Sequence, residues 1–456
     1  MNENENRMGT EPIISLLFKL SVPSIISMAI QALYNVIDSI YIGNYDPKAL
    51  TGLSIAFPIQ MILIAIAVGT GIGTSSLISR ELGRGNQRKA SNAAEHVMLL
   101  SVIYGIILAI LGALFARNII SIFTNNVEII DYGTRYIRII LLGSAALFVP
   151  MISNNILRGE GNTLIPMISM LIGSLMNIVL DPFIIFGIGP FPEWGIEGAA
   201  IATVFSRFLS GIFIVLMIFK SDNEIKVNFK KFKFNFNIIK DVYKVGFPAM
   251  VMQFLASFMI SGLNIIVGAY NETAIAALGI YFRLQSFVFM PVFGLNQGYM
   301  PIVGYNFGHN KPDRMKKTIK YGFIVSFVFT TLGFLLFQLF PTQLINLFVS
   351  NSNNNEELIE IGTKALKTIS IAFPIIGPAI VGSTTFQAIG KGFPSLTLSF
   401  LRQIILLLPI AYILGKIGTL NTIWYSFPIS ELISSIILVF WLRKALNDTF
   451  EKMKTT

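Results

Sequence analysis

The chain has no cysteine and only two histidines in 456 residues. Disulfides, thiolate metal sites and thiol redox chemistry are thereby excluded. Charge is scarce too: Asp, Glu, Lys and Arg make up 13% of the residues, against ~25% in a soluble globular domain. A surface so poor in charge meets something other than water. There is no phosphate-binding loop with its lysine, which argues against ATP-driven work by this chain alone. The glycines at Gly69, Gly71 and Gly73 lie inside an apolar run and follow no strand, so they are no dinucleotide fingerprint. No nucleophile, base and orienting group stand together, which argues against an enzyme.

What fills the chain instead is apolar sequence. Hydrophobic residues are 54% of it, and the mean hydropathy is +0.69. Apolar runs near the ~20 residues of a transmembrane helix recur throughout. We read spans at 12–40, 49–74, 92–116, 132–157, 163–188, 195–219, 239–268, 274–300, 318–340, 360–386, 394–415 and 420–442. The net charge of +10 is not gathered into one face, as a nucleic-acid surface would require. Lys and Arg sit in alternate short loops, at 80–89, Arg158, 220–244 and 311–320, and in the C-terminal tail. The opposite loops hold Asp46, Glu128, Asp131, Glu193, Glu197, Glu272, Glu356 and Glu357. The basic set is expected in the cytoplasm, with both termini. The polar N-terminus lacks the pattern of a cleaved leader, so the first span is expected to stay as an anchor. His96 and His309 are expected at the surface near cytoplasmic span ends.

An internal repeat organises these spans. A shift of 225 places Pro23 on Pro248, Gly43 on Gly268, Tyr45 on Tyr270, Ala49 on Ala274, Gly69 on Gly294, Gly73 on Gly298 and Gly83 on Gly308. Residues 157–161 resemble 386–390 at a slightly longer shift. The expected fold is an all-α integral membrane protein with twelve transmembrane helices. Six spans per repeat is an even number, so the two six-helix bundles should be related by a pseudo-two-fold axis along the membrane normal. The expected divisions are a tail at 1–11, an N-lobe at 12–220, a linker at 221–238, a C-lobe at 239–446 and a tail at 447–456. The linker, rich in Lys, Asn and alternating Phe, reads as a plain connector; the alternative is that its Phe side chains dip into the headgroup region.

Ionisable groups inside spans are functional candidates. Asp38 follows Gln31, Tyr34 and Asn35 at seven, four and three residues, spacings that share one helix face. Asn177 and Asp181 form an i,i+4 pair before Pro182, Asn154 and Asn155 lie in the fourth span, and Thr203 lies in the sixth. The repeat sends Asp38 to Leu263, Asp181 to Leu408 and Asn177 to Ile404. The second half therefore builds the same architecture without either acid. Two carboxyls in a low-dielectric site can exchange protons or hold Na⁺ among oxygen ligands. Arg207, Arg283, Arg402 and Glu431 read as structural or gating charges, with Arg402 and Glu431 a candidate pair. Asn35, Phe57, Met61, Phe282, Phe287, Met290 and Met300 are candidates for a substrate cavity, where Met suits promiscuity.

As a set, Pro23 with Asp38, residues 80–86 and 157–163, Asn177 to Pro182 with 184–187, and 198–203 resemble the multidrug and toxic compound extrusion (MATE) family. The second-half echoes at 305–308 and 386–392 extend the resemblance over about residues 12–446. It implies a V-shaped pair of six-helix bundles in a bacterial inner membrane, alternating between outward- and inward-open states. The implied activity is export of small amphipathic organic cations in exchange for H⁺ or Na⁺, with no other cofactor and no nucleic acid. The implied partner list is the lipid bilayer and the drug, with the chain acting as a monomer in drug resistance. The family's N-lobe cation site carries over to Asp38, Asn177 and Asp181, with Tyr34, Asn154 and Thr203 in support. The chain departs from the branch that uses a Glu in the seventh span and an Asp in the tenth. The alternative is a flippase for a lipid or lipid-linked saccharide, which calls for Arg207, Arg283 and Arg402 to converge on a phosphate.

Overall fold

The computed structural model describes residues 6–45, 47–220, 224–348 and 356–455. Among them there is no strand. The first half runs through α1 (Arg7–Thr10), α2 (Ile13–Tyr45), α3 (Pro47–Gly83), α4 (Gln87–Ser121), α5 (Val127–Leu142), α6 (Ala145–Gly159), α7 (Leu164–Ile185) and α8 (Gly195–Lys220). The second runs through α9 (Phe236–Gly268), α10 (Glu272–Gly308), α11 (Pro312–Leu339), α12 (Pro341–Asn346), α13 (Glu356–Ser370) and α14 (Phe373–Ala388). It ends with α15 (Gly392–Phe400), a π-helical turn at Leu401–Leu407, α16 (Leu408–Ile417), α17 (Leu420–Ile423) and α18 (Ser426–Thr455). Asp46 lies outside the described residues.

Among the described residues, ten helices are long and apolar enough to cross a bilayer, and up to twelve spans result if each of two bent pairs counts as one. Those pairs are α5 with α6, bent by 50°, and α13 with α14, bent by 52°. The sequence reading gave the fourth and tenth spans no break. Each break has a local cause. At the first, Gly143 lies so close to Val204 that a Cβ would sit 2.4 Å from it, and Ser144 Oγ donates to the carbonyl of Gly105 on α4 at 3.1 Å. At the second, Pro374 occupies the first turn of α14 and removes a backbone donor. Gln338 Nε2 then takes up the carbonyl of Lys367, at 2.6 Å. The π-helical turn precedes Pro409, whose ring crowds the carbonyl four residues earlier, and the wider turn relieves that crowding.

The repeat is visible in the backbone. Gly85 has φ 72° and Asn310, 225 residues later, has φ 56°. Gly161 (φ 89°) and Gly390 (φ 81°) are likewise paired, at a shift of 229. Left-handed backbone favours glycine and tolerates asparagine, so these turns are built alike from different residues.

The chain forms two compact units, residues 1–18 with 248–456, and residues 19–247. Their limits fall inside α2 and α9. In the unit formed by 19–247, helices approach through small residues, as membrane helices do. Thr70, Thr74, Ser75, Ser76 and Ser79 of α3 are all buried, and Gly73 packs on the backbone of Val242. Ser169 of α7 and Ser210 of α8 are hydrogen-bonded at 2.8 Å. Outward-facing positions are apolar; on α4, Ile106, Ile110 and Leu114 are more than half exposed.

The linker is more than a plain connector. Four of its backbone N–H groups are fixed by side chains of the same unit. Ile225 donates to Glu160 Oε2 at 3.3 Å, Lys226 to Ser91 Oγ at 3.0 Å, Asn228 to Glu95 Oε1 at 2.8 Å and Asn235 to His96 Nε2 at 2.7 Å. His96, expected at the surface, is 2% exposed, because the linker covers it. His309 is half-buried beside the Tyr305 ring.

In the other unit, the core gathers Tyr281, Phe289, Phe337, Phe373 and Trp424. Phe373 lies edge-on to Phe289 at 5.1 Å and to Phe337 at 5.0 Å. The N-terminal segment is held here. Met8 is fully buried, its carbonyl accepts from Asn306 Nδ2 at 3.1 Å, and Arg314 donates to the carbonyls of Met8 and Glu11. Within the π-helical turn, Arg402 Nη1 meets Glu431 Oε1 of α18 at 3.3 Å.

Two expectations test this packing. Gly73→Ala places a methyl into the Val242 backbone and should destabilise the protein by about 1–3 kcal/mol. Gly279→Ala meets nothing within 4 Å and should stabilise it by up to about 1 kcal/mol. Opposite shifts in thermal midpoint in detergent are the readout. Arg402→Met leaves Glu431 alone among apolar helices and should cost about 3 kcal/mol. Adding Glu431→Met should recover most of that loss in the same assay.

Candidate functional site

The sequence candidates of the first half meet in one unit. Asn177 and Asp181 lie one turn apart on α7, so their side chains share a face. Asn177 Nδ2 donates to Asp181 Oδ1 at 3.1 Å and reaches Thr203 Oγ1 of α8 at 3.4 Å. Asp181 is fully buried, Asn177 and Thr203 nearly so. Asp38 enters from α2, itself 9% exposed, and its carboxyl interacts with that of Asp181. Tyr34, one turn before Asp38, hydrogen-bonds Thr203.

Three oxygens here are buried with no hydrogen-bond partner: Asp38 Oδ1, Asp181 Oδ2 and Asn177 Oδ1. Asn154 on α6, expected in support of this site, is 5% exposed and its Oδ1 is also buried without a partner. Buried acceptors left open are unfavourable by about 1–3 kcal/mol each. A proton or a hard cation that takes oxygen ligands is the chemistry that offsets this. Among the described residues, no three His, Asp or Glu side chains form a metal-binding group. The donor set suits a monovalent ion held by two acids and neutral oxygens, and has no thiolate or imidazole for a transition metal.

Three more residues belong to this neighbourhood. Arg207, one turn after Thr203 on α8, interacts electrostatically with Asp38, Tyr34 and Tyr136. The sequence reading grouped Arg207 with the structural charges and found it no partner. Its i,i+4 spacing from Thr203 was the available signal. Tyr136 of α5 is 2% exposed and accepts from Gln60 Nε2 of α3 at 3.4 Å. Neither has a sequence signal, because only the packing of α3 and α5 beside α2 brings them in.

The candidate cavity residues are spread over both units. Phe57 is exposed and Met61 half-buried on α3. On α10, Phe287 is exposed, while Phe282, Met290 and Gln285 are half-buried; Phe282 lies against the Tyr281 ring. Met300 is buried. The side chain of Asn35 lies outside the described residues. Of the remaining charges, Arg283 is exposed. Arg402 and Glu431 are the ion pair already described, and Tyr281 interacts electrostatically with both.

The MatE family model matches residues 23–183 and 248–413, one segment in each repeat. Among curated relatives, the multidrug export protein MepA of Staphylococcus aureus is 26% identical over 446 residues, 96% of each chain. The FAD transporter of Shewanella oneidensis is 27% identical over 429 residues, 93% of each chain. Solved structures agree. One described as an outward-facing conformation of a multidrug resistance MATE family transporter superposes with a TM-score of 0.91 over the whole of both chains, at 27% identity. A transporter from Pyrococcus furiosus, described as having a binding pocket of reverse polarity, also gives 0.91, covering 98% of this chain and 99% of its own, at 27% identity. With both matched segments accounting for most of its length, and its apolar helices able to supply twelve spans, this chain is a multi-pass membrane transporter of the MATE family.

Proposed function

We propose that the protein is a secondary antiporter that exports amphipathic organic cations in exchange for H⁺ or Na⁺ by alternating access. The supporting observation is the acid pair: Asp38 and Asp181 are buried in contact, with open oxygens around them. Two buried carboxyls cannot both stay ionised at contact, so the pair takes up and releases positive charge. Asn177 holds one Asp181 oxygen in place and Thr203 steadies Asn177 and Tyr34, which keeps the second oxygen of Asp181 available. Arg207 supplies a fixed positive charge beside Asp38.

Coupling then follows from linkage. Helices α2, α7 and α8 pack one way around a charged pair and another way around a neutralised one. If the drug binds one of those states more tightly, the ion and the drug each weaken the other's binding by the same factor. Export of cations is supported by where the arginines lie. A phosphate-bearing cargo calls for several guanidiniums free to converge. Arg402 is instead engaged by Glu431, and Arg207 sits with Asp38. We place both termini in the cytoplasm on the distribution of Lys and Arg.

The test is flux in proteoliposomes. A fluorescent organic cation is followed under an imposed pH gradient, then a Na⁺ gradient, with Asp181→Asn beside the parent. One gradient should drive flux, and the substitution should reduce it at least tenfold while the protein stays folded. Undiminished flux in Asp181→Asn removes this residue from coupling. Absence of cation flux, with gradient-driven movement of FAD or of a lipid-linked saccharide in its place, overturns the cation reading.

A further inference from the structure

The linker between α8 and α9 leaves a feature that ion coupling does not use. From Ile225 to Asn235 it carries Lys226, Lys230, Lys231 and Lys233, with Glu224 just before this stretch and Lys240 and Asp241 following on α9. Interleaved with these are Phe229, Phe232, Phe234 and Phe236. The four hydrogen bonds to Glu160, Ser91, Glu95 and His96 hold the backbone against its own unit. Held in this way, it turns Lys230, Lys231 and Lys233 outward. Phe234 and Phe236 are each 66% exposed, whereas Phe232 is turned in, its ring 4.8 Å from that of His96.

Depth decides what these exposed rings meet. On α4, no charged residue occurs from Val97 to Ala116, a run whose helical rise of about 30 Å equals the hydrocarbon core. His96 therefore marks one edge of the bilayer, and the Phe234 ring lies 5.7 Å from it. The other end of the linker is placed at a similar edge. Phe229 lies 6.4 Å from Phe219, the last apolar residue of α8 before Lys220. Exposed phenylalanines at this level, interleaved with lysines, have the composition of a segment that lies in a headgroup layer. Their charge is complementary to anionic lipid.

We propose that residues 229–236 form a strap that docks on an anionic lipid surface, with Phe234 and Phe236 entering the acyl boundary and Lys230, Lys231 and Lys233 contacting headgroup phosphates. In the segment before α2, Met8 is buried in its own unit. Docking of the strap does not depend on the transport reading, and its test needs no flux.

The absence of native cysteine makes a single label site-specific. Phe234→Cys and, separately, Phe236→Cys are labelled with a nitroxide in the full-length protein, in nanodiscs of phosphatidylcholine alone or with phosphatidylglycerol. Collision with oxygen and with a water-soluble nickel chelate reports depth. The expected result is loss of nickel accessibility and gain of oxygen accessibility in the anionic discs at either site. The Lys230→Gln/Lys231→Gln/Lys233→Gln variant should lose that difference. Labels that stay open to nickel in both lipids overturn the proposal. So does equal burial in both lipids, which would mean apolar insertion without recognition of charge. Labels closed to both reagents would mean packing against protein, and would overturn it too.

Discussion

A carboxyl group among apolar helices must find a proton, a donor or a cation, and the unit of residues 19–247 is arranged around two that find each other. Asp181 is fully buried and its carboxyl meets that of Asp38. Asn177 gives one hydrogen bond to Asp181 and turns the same amide toward Thr203. The helices that carry these residues come close enough to do so because their contacting faces are small. Ser169 and Ser210 join α7 to α8 by hydroxyls, and Gly173 of α7 lies where a Cβ would be 3.3 Å from the Ser210 side chain. In a bilayer, where no hydrophobic force draws helices together, small residues and interhelical hydrogen bonds supply the attraction. The stripe that packs the bundle is thus also what positions the acids.

The second repeat resolves the same constraint differently. Its charged residues, Arg402 and Glu431, neutralise each other at 3.3 Å, and the site equivalent to Asp181 is Leu408. A matched ion pair has no need of an external cation, whereas two acids with one fixed Arg207 do. Among the intramembrane candidates, the two acids thus lie in one repeat and the matched ion pair in the other. On the proposed reading, one bundle senses the ion while both share the architecture that moves.

The twelve spans could be read from hydropathy because membrane helices must be continuous, apolar and near the thickness of the bilayer. Asp38, Asn177, Asp181 and Thr203 were legible for related reasons. Polar groups inside spans are few, two of these share a helix face by spacing, and the repeat shows the fold without the acids. Tyr136, Gln60 and Arg207 were not assigned to the site, because their membership depends on which faces of α3, α5 and α8 turn toward α2. The breaks at Gly143 and Ile371 were also not read, since each depends on a neighbour: Val204 and Gly105 for one, Gln338 for the other. The linker was misjudged for a similar reason. Its own sequence is polar and Phe-rich, but the side chains that fix it, Glu95, His96, Ser91 and Glu160, lie more than sixty residues away.

Those anchors explain why buried polar groups collect near one end of α4 as well as at the acid pair. Glu95, His96 and Glu160 are each at most 9% exposed, and each accepts a hydrogen bond from a backbone N–H group of the linker. A backbone donor at a fixed site satisfies an acceptor without the entropy of ordering a long side chain, and it leaves the linker's own side chains free. The result separates two tasks along one segment of chain. The backbone N–H groups of Ile225, Lys226, Asn228 and Asn235 are committed inward to the unit, while the lysines and Phe229, Phe234 and Phe236 are exposed at the level where the apolar helices end. A flexible connector of the same composition could not hold that division, because nothing would keep Phe232 in and Phe234 out. The rigidity of the linker is therefore a consequence of α4, and the surface it presents is set by residues that never reach that surface.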